Sequence, residues 1–460
     1  MRRNRRVNHA PGPRAGALWQ SARRLQQQPL AEYVSLRHQF GDVVRLPLLP
    51  YPLYLLSHPQ AVQHVLRDHA SNYRKGILFR SIAALQGQGL LTSEGELWRR
   101  QRHLANPAFR QRHVALFASI MAEEAQAVVE SWRSIARTGK PINVVAWMHR
   151  LTFRIVGRTL LGIAPAALDE VARQLQAVGE QIMPYLMTRL TRTWALPAWV
   201  PTPHRWRFRR AVRVYNTLAQ QLLTMRRLAL QHERAASTDL LAMLIAAGDT
   251  TTDAGLTEPQ LRDAVITFIG AGVETSAQVL SWTWYLLARH PEVAQRLRAE
   301  LAGHLGTRLP TLEDLPSLAY GRMVLDEAMR LYPPAAILPR QANAADEVGG
   351  YAVPRNAVVL LSPYVTHRHP DFWPEPERFC PERFTTEQAA VRHRFAYFPF
   401  GEGMRQCIGK PFALMEMQLL LAVIAQAYSL RLVAERPTVP SLNTTLQPRD
   451  GLWMTIQARQ

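Results

Sequence analysis

The sequence predicts a mainly α-helical protein with a small β portion at its edge. Apolar residues recur with helical spacing from about residue 59 to residue 328, more than half of the chain. Short apolar runs bounded by turn residues, the usual sign of strands, occur before and after that region. One segment, residues 258–289, continues without a stop and is apolar on most faces. A long buried helix at the centre of a helical fold is therefore expected.

The first strands are predicted in GDVVRLPLLPYPLYLLSHP, residues 41–59, where two short apolar runs flank the letters LPY. Paired runs around a turn favour a β-hairpin. Two further strand regions are expected after the helical region, in YAVPRNAVVLLSP at residues 351–363 and in YSLRLVAERP at residues 428–437. Together these segments make up the β portion.

The long central helix has a start and an end that the sequence marks. Thr257 is followed three residues later by Gln260, the spacing of a capping box, and Pro259 suits the first turn of a helix. The apolar pattern then continues to His290 and Pro291, which end it. At 1.5 Å per residue this helix is roughly 48 Å long.

The chain of 460 residues, 47% of them apolar, exceeds the usual size of one domain. It contains no Gly/Ser-rich linker, internal repeat or low-complexity block at which it would divide. The sequence therefore predicts a single domain over residues 29–460. Residues 1–28 are predicted as a basic, flexible N-terminal tail, because the first 31 residues hold seven arginines and no acidic residue.

Cysteine content and hydropathy exclude two classes of protein. Two cysteines cannot form a disulfide framework, which indicates a reduced, intracellular protein. No apolar run reaches the roughly 18 uncharged residues of a membrane span, and the N-terminus lacks the apolar core of a secretory signal. We therefore expect a cytoplasmic protein without a transmembrane segment.

The net charge of +20 leaves two interpretations open. No recognition motif of aromatic and basic residues accompanies the charge, so nucleic acid is not an expected partner. All but three of the 55 basic residues are arginine and they are spread along the chain, as a genome-wide bias toward arginine codons produces. The alternative is a surface that docks an acidic partner protein.

The stretch FGEGMRQCIG, residues 400–409, crowds glycine around Cys407. Neither a CxxC nor an HxxxH motif accompanies this cysteine, so a zinc site is not expected. A single thiolate suffices when the metal brings its other ligands, as haem iron does. Gly401, Gly403 and Gly409 let the backbone fold tightly under a flat ring, and the helix that follows favours a thiolate. The alternative is a buried, inert cysteine at a helix start.

Two neighbours suit the same group: Phe400 can shield the sulfur from water, and Arg405 can pair with a haem propionate. The pattern F-G-x-G-x-R-x-C-x-G resembles the haem-binding loop of the cytochrome P450 family at every key position. The resemblance implies the cytochrome P450 fold, with the long central helix over haem b. It also implies that Cys407 is the thiolate ligand of the iron and that Phe400, Arg405 and Gly409 bind the cofactor.

Further motifs extend the resemblance over nearly the whole chain. Glu327 and Arg330 in DEAMRLYPP lie three residues apart and resemble the ExxR pair of the family. Arg383 in PERF resembles the third member of a buried charge triad. Because a buried charge is costly unless it is paired, the implied triad is structural rather than catalytic.

Three more residues resemble propionate contacts of the family. Trp98 and Arg102 in ELWRRQRHLANPAF match its WxxxR helix, and Arg340 in ILPRQANAADEVGGYAVP stands where another propionate arginine is expected. Taken alone, Trp98 is more typical of a core residue. The assignment of all three residues to cofactor binding therefore rests on the resemblance.

The central helix carries the letters AGVET at residues 271–275. Gly272 costs about 1 kcal/mol relative to Ala inside a helix. A small residue there, beside Ala271, opens room for dioxygen above a haem, and the resemblance implies that Ala271 and Gly272 both contact the cofactor. The Thr275 hydroxyl can bond to the carbonyl of Ala271, and Glu274 supplies a titratable carboxylate. From periodicity alone these are a core hydroxyl and an exposed or paired acid; in the family such a pair delivers protons to bound oxygen, which implies that both are catalytic.

The resemblance implies an oxidoreductase that inserts one oxygen atom of O2 into a C–H bond or a double bond. The sequence shows no flavin- or ferredoxin-like extension, so the electrons are expected from a separate ferredoxin or flavodoxin with an NAD(P)H-dependent reductase. Two alternatives stay open. One is a partner-free haem-thiolate enzyme, either a peroxygenase or an isomerase or dehydratase. The other is a non-catalytic haem sensor.

The residues expected to face the substrate are mostly apolar, which favours a lipid- or terpenoid-like small molecule. The alternative is that they pack the core. The set consists of Met183, Phe268, Ala271, Ala335, Ile337 and Leu338.

Overall fold

The computed structural model describes residues 8–47, 51–191, 202–232, 238–248 and 255–458. Helices hold 63% of the residues and the sheets are small, so the predicted mainly α fold is confirmed. Among the described residues are seventeen α-helices, α1 to α17: Ala15–Gln27, Pro29–Phe40, Pro59–Gln63, Arg80–Gln86, Gly95–Ala105, Gln111–Val114, Ala118–Thr138, Val144–Thr159, Leu168–Thr191, Pro203–His232, Leu240–Gly248, Glu258–Arg289, Pro291–Leu305, Ala319–Leu331, Pro363–Thr366, Thr386–Val391 and Lys410–Ala427.

The strands are short, between two and six residues. In the described chain they are β1 to β12: Val43–Leu46, Leu53–Leu56, Tyr73–Arg74, Ile142–Asn143, Leu338–Ala342, Asp346–Val348, Tyr351–Val353, Val358–Leu361, Tyr428–Leu432, Pro440–Leu442, Leu446–Pro448 and Trp453–Ala458.

The chain divides into two compact units, which we name by their content. The sheet unit comprises Met1–Arg80, Met329–Cys407 and Ser441–Leu446. The helical unit comprises Ser81–Ala328, Ile408–Pro440 and Gln447–Gln460. The single domain expected over residues 29–460 stays a prediction.

The sheet unit is built on a five-stranded sheet with the order β1-β2-β8-β5-β3. The predicted hairpin is confirmed, because β1 and β2 pair antiparallel with Val43 opposite Leu56. Strand β2 then pairs in parallel with β8, and β8 and β3 both run antiparallel to β5. Every residue of β8 is buried, as expected for a strand covered on both faces.

The N-terminal segment corrects one expectation. Within the predicted tail, the Arg45 N–H donates to the carbonyl of Pro11, and the Ala352 N–H donates to that of Asn8. A Cβ at Gly12 would lie 1.9 Å from the Arg45 carbonyl oxygen, so glycine permits this close approach. Helix α1 follows. Residues 8–27 are therefore structured, because their backbone groups bond to the sheet unit and within a helix.

The helical unit contains the long helix α12, which confirms the predicted segment. It runs from Glu258 to Arg289, with Thr257 and Gln260 forming the predicted capping box. Helix α8 packs along it, and the Thr152 hydroxyl donates to the carbonyl of Val273 over 3.0 Å. A three-stranded antiparallel sheet, β4-β12-β9, completes this unit. The predicted strand at residues 428–437 is β9.

Two helices of this unit, α12 and α17, have the length and hydropathy of a membrane span. In each, 67% of the most apolar window is buried inside the protein. Burial of this kind is typical of core helices.

Helix α17 buries an acid. Glu416 is fully buried, and neither carboxyl oxygen has a well-formed hydrogen bond among the described residues. Burial raises the pKa of Glu416 from 4.5 to about 8, and the Ser276 hydroxyl offsets the burial only in part. The side chain is therefore a neutral carboxylic acid at pH 7.

We predict that Glu416→Gln removes a pH dependence of stability. Between pH 4.5 and 8 the folded protein binds one proton more than the unfolded chain, so the free energy of unfolding falls as the pH rises through this range. At pH 7 the loss amounts to about 3 kcal/mol. Urea unfolding at pH 5.5 and pH 8 should show a smaller difference for Glu416→Gln than for the wild type. The exposed Glu387→Gln is the control; equal pH dependence of all three proteins would contradict the prediction.

Candidate active site

The residues singled out in the sequence fall into two groups, one in each unit, and each group is described within its own unit. The sheet unit holds Arg330, Arg340, Arg383, Phe400, Arg405 and Cys407; the helical unit holds Trp98, Arg102, Ala271, Gly272, Glu274, Thr275, Glu327 and Gly409.

Cys407 ends a loop that is closed by hydrogen bonds within its own backbone. The Gly401 N–H donates to the carbonyl of Phe398 over 2.9 Å, and the Cys407 N–H donates to that of Phe400 over 2.9 Å. Between them, Gly403–Arg405 form a single 3₁₀ turn. The Cys407 residue is exposed, whereas Cys380 is partly buried. A residue held out on a fixed loop does not fit the alternative of a buried, inert cysteine.

Two of the three glycines are required by this backbone. Gly403 has φ +73°, and a Cβ there would lie 2.0 Å from the carbonyl oxygen of Leu66. Gly401 has φ +65°, but its nearest neighbour would be a Leu338 methyl group at 3.8 Å. Gly409 has φ −79°, which any residue adopts, so a positive φ is not the reason for glycine there. Its assignment to cofactor binding stays a prediction.

A buried histidine supports the start of this loop and was missed by the sequence reasoning. The Phe398 N–H donates to Nε2 of His367 over 3.0 Å, so that nitrogen carries no proton. Burial, with the charges of Arg330 and Arg368, holds the pKa of His367 well below its usual range. The ring is therefore a neutral acceptor, fixed at the position where the cysteine loop begins.

Arg330 is fully buried, and its guanidinium donates to three backbone carbonyls. They are those of His367 at 3.0 Å, Pro376 at 2.6 Å and Arg378 at 3.0 Å. The guanidinium also lies 5.1 Å from the centre of the Trp373 ring. Carbonyl partners of this kind compensate a buried cation and shape the chain from residue 367 to residue 378.

The other two members of the implied triad are buried as well. Glu327 is 0% exposed and Arg383 is 8% exposed. Glu327 and Arg330 lie one turn apart on α14, and Arg383 donates to the carbonyl of Glu375 over 2.9 Å. Burial of all three fits a structural role, while their mutual pairing stays a prediction.

Two arginines flank the loop in the sheet unit. Arg340 lies on β5, is 8% exposed and donates to the carbonyl of Pro339 over 2.9 Å. Arg405 is half-buried in the 3₁₀ turn, two residues before Cys407. Their contact with a propionate stays a prediction, which the charge and burial of both side chains suit.

In the helical unit, Trp98 and Arg102 share one face of α5, four residues apart. Trp98 is buried and Arg102 is half-buried. Gln101 fixes this helix, because its amide donates to the carbonyl of Gln88 over 2.6 Å and accepts from the Ser93 hydroxyl over 2.6 Å. Trp98 and Arg102 therefore lie on a helix that is held in place by the hydrogen bonds of Gln101.

Helix α12 is accessible in its middle only at residues 270–275, between buried stretches on either side. Ala271 is exposed there, although Ile269 before it and Ser276 after it are buried. The Thr275 hydroxyl donates to the Ala271 carbonyl over 2.8 Å, as the sequence predicted. A small side chain and a hydroxyl thus lie at an opening in an otherwise buried helix.

Gly272 faces another element. A Cβ at this position would lie 3.1 Å from a methyl group of Val156 on α8. Close packing of α8 against α12 is therefore one reason for glycine at this position, and room for dioxygen stays a prediction. Its contact with the cofactor stays a prediction.

Glu274 interacts with a polar group that the sequence gave no reason to select. Its charge raises the pKa of His149 on α8, but burial lowers it more, so the net shift is downward. Gln278, one turn after Glu274, donates its amide to Nε2 of His149 over 3.1 Å and to Gln447 over 3.4 Å. These three side chains come from segments 129 and 169 residues apart along the chain, which no local motif links.

Several residues expected to face the substrate also pack against apolar side chains of their own unit. Phe268 is buried and stacks on Phe109 at 5.8 Å between ring centres. Leu338 and Ile337 pack against apolar clusters of the sheet unit. The side chain of Met183 lies outside the described residues. Ala271 alone of this set is exposed in the described structure, and Ala335 is half-buried.

The donor set fits a haem with one thiolate ligand. Cys407 is exposed at the end of a rigid loop, beside a half-buried Phe400. The guanidinium of Arg405, which is suited to a carboxylate, stands in the same segment, and no second cysteine or histidine neighbours Cys407 in the sequence.

We predict that the two loop glycines differ in their tolerance of a methyl group. Gly401→Ala should lower the free energy of unfolding by about 1 to 2 kcal/mol, the cost of the left-handed backbone. Gly403→Ala should lower it more, because the Cβ also meets the Leu66 carbonyl and the backbone must shift. Urea unfolding of both variants measures the difference. A smaller loss for Gly403→Ala than for Gly401→Ala would contradict the close approach.

Comparison with known proteins agrees with these features. The chain is 36% identical over 409 residues to cyclooctat-9-en-7-ol 5-monooxygenase of Streptomyces melanosporofaciens, covering 88% of this chain and 86% of that enzyme. It is 30% identical over 444 residues to pentalenene oxygenase of Streptomyces avermitilis, covering 96% and 95%. The crystal structure of the cytochrome P450DA heme domain matches with a TM-score of 0.88, at 27% identity and over 99% of both chains.

A family model described as Cytochrome P450 matches residues 8–455, nearly the whole chain. The resemblance inferred from the cysteine loop and the ExxR pair is thereby confirmed, together with the fold and the haem with its cysteine thiolate ligand. The chain belongs to the cytochrome P450 family and is a haem-thiolate monooxygenase.

Proposed function

We propose that the enzyme oxygenates a terpenoid-like hydrocarbon at a C–H bond or a double bond. The relatives support this substrate class, since they are named for cyclooctat-9-en-7-ol and for pentalenene. The observation that carries the proposal within the chain is the opening of α12, where a small apolar side chain, Ala271, is exposed beside the Thr275 hydroxyl. A small apolar side chain beside a hydroxyl suits a guest that is mostly hydrocarbon.

The haem supplies the activation of O2, with the thiolate of Cys407 favouring O–O cleavage. The protein holds that sulfur at a fixed place, because the loop is closed by the hydrogen bond from the Cys407 N–H to Phe400. Arg340, Arg405, Trp98 and Arg102 are proposed to bind the propionates. The charges of the three arginines, and the partly or fully buried position of all four side chains, support this role.

We assign proton delivery to Thr275 and Glu274. The Thr275 hydroxyl keeps its proton engaged with the Ala271 carbonyl, so its oxygen is oriented and remains able to accept a second hydrogen bond. Glu274 is coupled electrostatically to His149, whose ring accepts a hydrogen bond from Gln278. An acid next to Thr275 in the chain that also interacts with a histidine is suited to replacing the proton that the hydroxyl gives up.

The electron donor is proposed to be an acidic ferredoxin or flavodoxin with its reductase, in the cytoplasm. The basic surface proposed to dock this partner contains Arg99, Arg100 and Lys410. Arg99 pairs with Glu96, and Arg100 donates to Gln260 over 3.0 Å. Both contacts lie within the helical unit. Lys410, half-buried in the first turn of α17, is the third member of this set.

A spin-shift titration tests the substrate class. Cyclic sesquiterpene and diterpene hydrocarbons should convert the haem to the high-spin form, whereas straight-chain fatty acids of similar size should not. Surrogate redox partners with NADPH and O2 should then give an oxygenated terpene. A high-spin shift with fatty acids alone would overturn the proposed substrate class and leave the monooxygenase assignment intact.

We predict that Thr275→Ala separates oxygen consumption from product formation. The variant should consume NADPH and O2 but form at least about tenfold less product, releasing peroxide instead, because a proton donor is lost. Thr275→Ser should restore most of the product. Thr283→Ala is the matched control, since Thr283 makes the same bond to the carbonyl four residues earlier on α12. Full product from Thr275→Ala with hydrogen peroxide would favour the peroxygenase alternative; unchanged coupling with NADPH would contradict the assignment.

We predict that Lys410→Glu slows reduction by an acidic ferredoxin about two- to fivefold at low salt, the effect of an exposed ion pair worth up to about 1 kcal/mol. Added salt should reduce the difference from the wild type. Stopped-flow reduction under carbon monoxide measures the rate. Lys140→Glu, at an exposed site, is the control. Equal rates for both variants would remove Lys410 from the docking surface.

A further inference from the structure

Three side chains of the sheet unit, His64, His69 and Asp346, bring potential metal-ligand atoms together outside the active site. Their nitrogen and oxygen atoms all lie within 4.8 Å of one another. Nε2 of His64 is 3.0 Å from Oδ2 of Asp346. The two imidazole rings stack at 4.0 Å between centres, with only 13° between their planes.

A local change of helix type explains how both histidines reach the same side. Residues His64–Asp68 form a π-helical turn, closed by the bond from the His69 N–H to the carbonyl of His64 over 2.8 Å. In an α-helix, residues five apart point about 140° away from each other. The wider π turn brings the fifth residue back over the first, and such turns occur frequently at functional sites.

The carboxylate is fixed in place before any ligand arrives. The Tyr73 hydroxyl donates to Oδ2 of Asp346 over 2.8 Å, and the Glu347 N–H donates to Oδ1 over 2.8 Å. These two donors orient the carboxylate from outside the set of three side chains. His69 is exposed, which leaves the cluster open to an ion from solvent.

We propose that His64, His69 and Asp346 form a binding site for one borderline divalent cation of the zinc class, with water as the fourth ligand. Two imidazoles and one carboxylate are the ligands that zinc takes in open sites. Magnesium and calcium prefer oxygen ligands throughout and are excluded by the two nitrogens. Ligands on one tetrahedral ion stand about 3.5 Å apart, so the exposed His69 side chain must rotate toward the other two. Binding of the cation also replaces the hydrogen bond between Nε2 of His64 and Oδ2 of Asp346 and releases the proton held there to solvent.

The position of the site gives the ion a structural role that does not depend on the proposed substrate. The π turn carries Leu66, whose carbonyl lies against Gly403 in the cysteine loop. Asp346 begins β6, and Tyr73 lies on β3. A bound cation therefore links the segment that backs the cysteine loop to a strand far along the chain, and stabilises the sheet unit.

Calorimetric titration of the chelator-treated, haem-loaded protein with zinc chloride tests the site. One ion per chain should bind, and magnesium chloride should give no heat. His69→Gln should weaken zinc binding at least about tenfold, and Asp346→Asn and His64→Gln should do the same. His38→Gln, an exposed histidine on α2, is the control and should bind as the wild type does.

A melting experiment tests the same site without calorimetry, so heat released by zinc at other groups does not affect its result. The melting temperature of the wild type and of His38→Gln should rise with zinc concentration, whereas that of His69→Gln should not. His69 is exposed, so this substitution leaves the buried partners of Asp346 in place. Equal zinc affinity and an equal melting shift in His69→Gln and the wild type would overturn the site.

Discussion

The buried guanidinium of Arg330 is the constraint on which the sheet unit depends. A cation with no exposed surface must be compensated, and here the compensation comes from backbone carbonyls of residues 367–378 as hydrogen-bond acceptors. Those carbonyls fix the course of an irregular segment that no sheet or long helix supports. His367 in turn accepts a hydrogen bond from the Phe398 N–H, which holds the start of the loop that ends at Cys407. The ligand cysteine is thus positioned by a charge far from it in sequence.

In the helical unit, a buried helix becomes accessible over a few residues without a break in the helix. Helix α12 keeps its course through residues 270–275 while the Thr275 hydroxyl shares the Ala271 carbonyl with the backbone. Helix α8 braces this region, through Thr152 on the Val273 carbonyl and through the close approach at Gly272. The functional residues therefore lie on a rigid element, and their polar support comes from a neighbouring helix.

Local signals were sufficient for much of the fold and of the site. The capping box at Thr257, the hairpin around residue 50 and the spacing of the cysteine loop are patterns of adjacent residues, which a sequence shows directly. Contacts between distant segments were not accessible in this way. The carbonyls that bind Arg330, the His149–Gln278 pair and the bond from Arg45 to the N-terminal segment all join residues that share no motif. Gly272 was assigned by motif, yet its neighbour Val156 is fixed by helix packing.

The parallel pairing of β2 with β8 has a kinetic consequence. The ladder joins Leu53 to Val358, about 300 residues later, so a very long loop must close before the five-stranded sheet exists. During synthesis the hairpin of β1 and β2 emerges early. Strand β2 lacks its partner β8 until most of the polypeptide has left the ribosome. Non-local pairing of this kind folds slowly. The cysteine loop, which follows β8, is consequently ordered near the end of translation, and cofactor capture is a late step in the biogenesis of this enzyme.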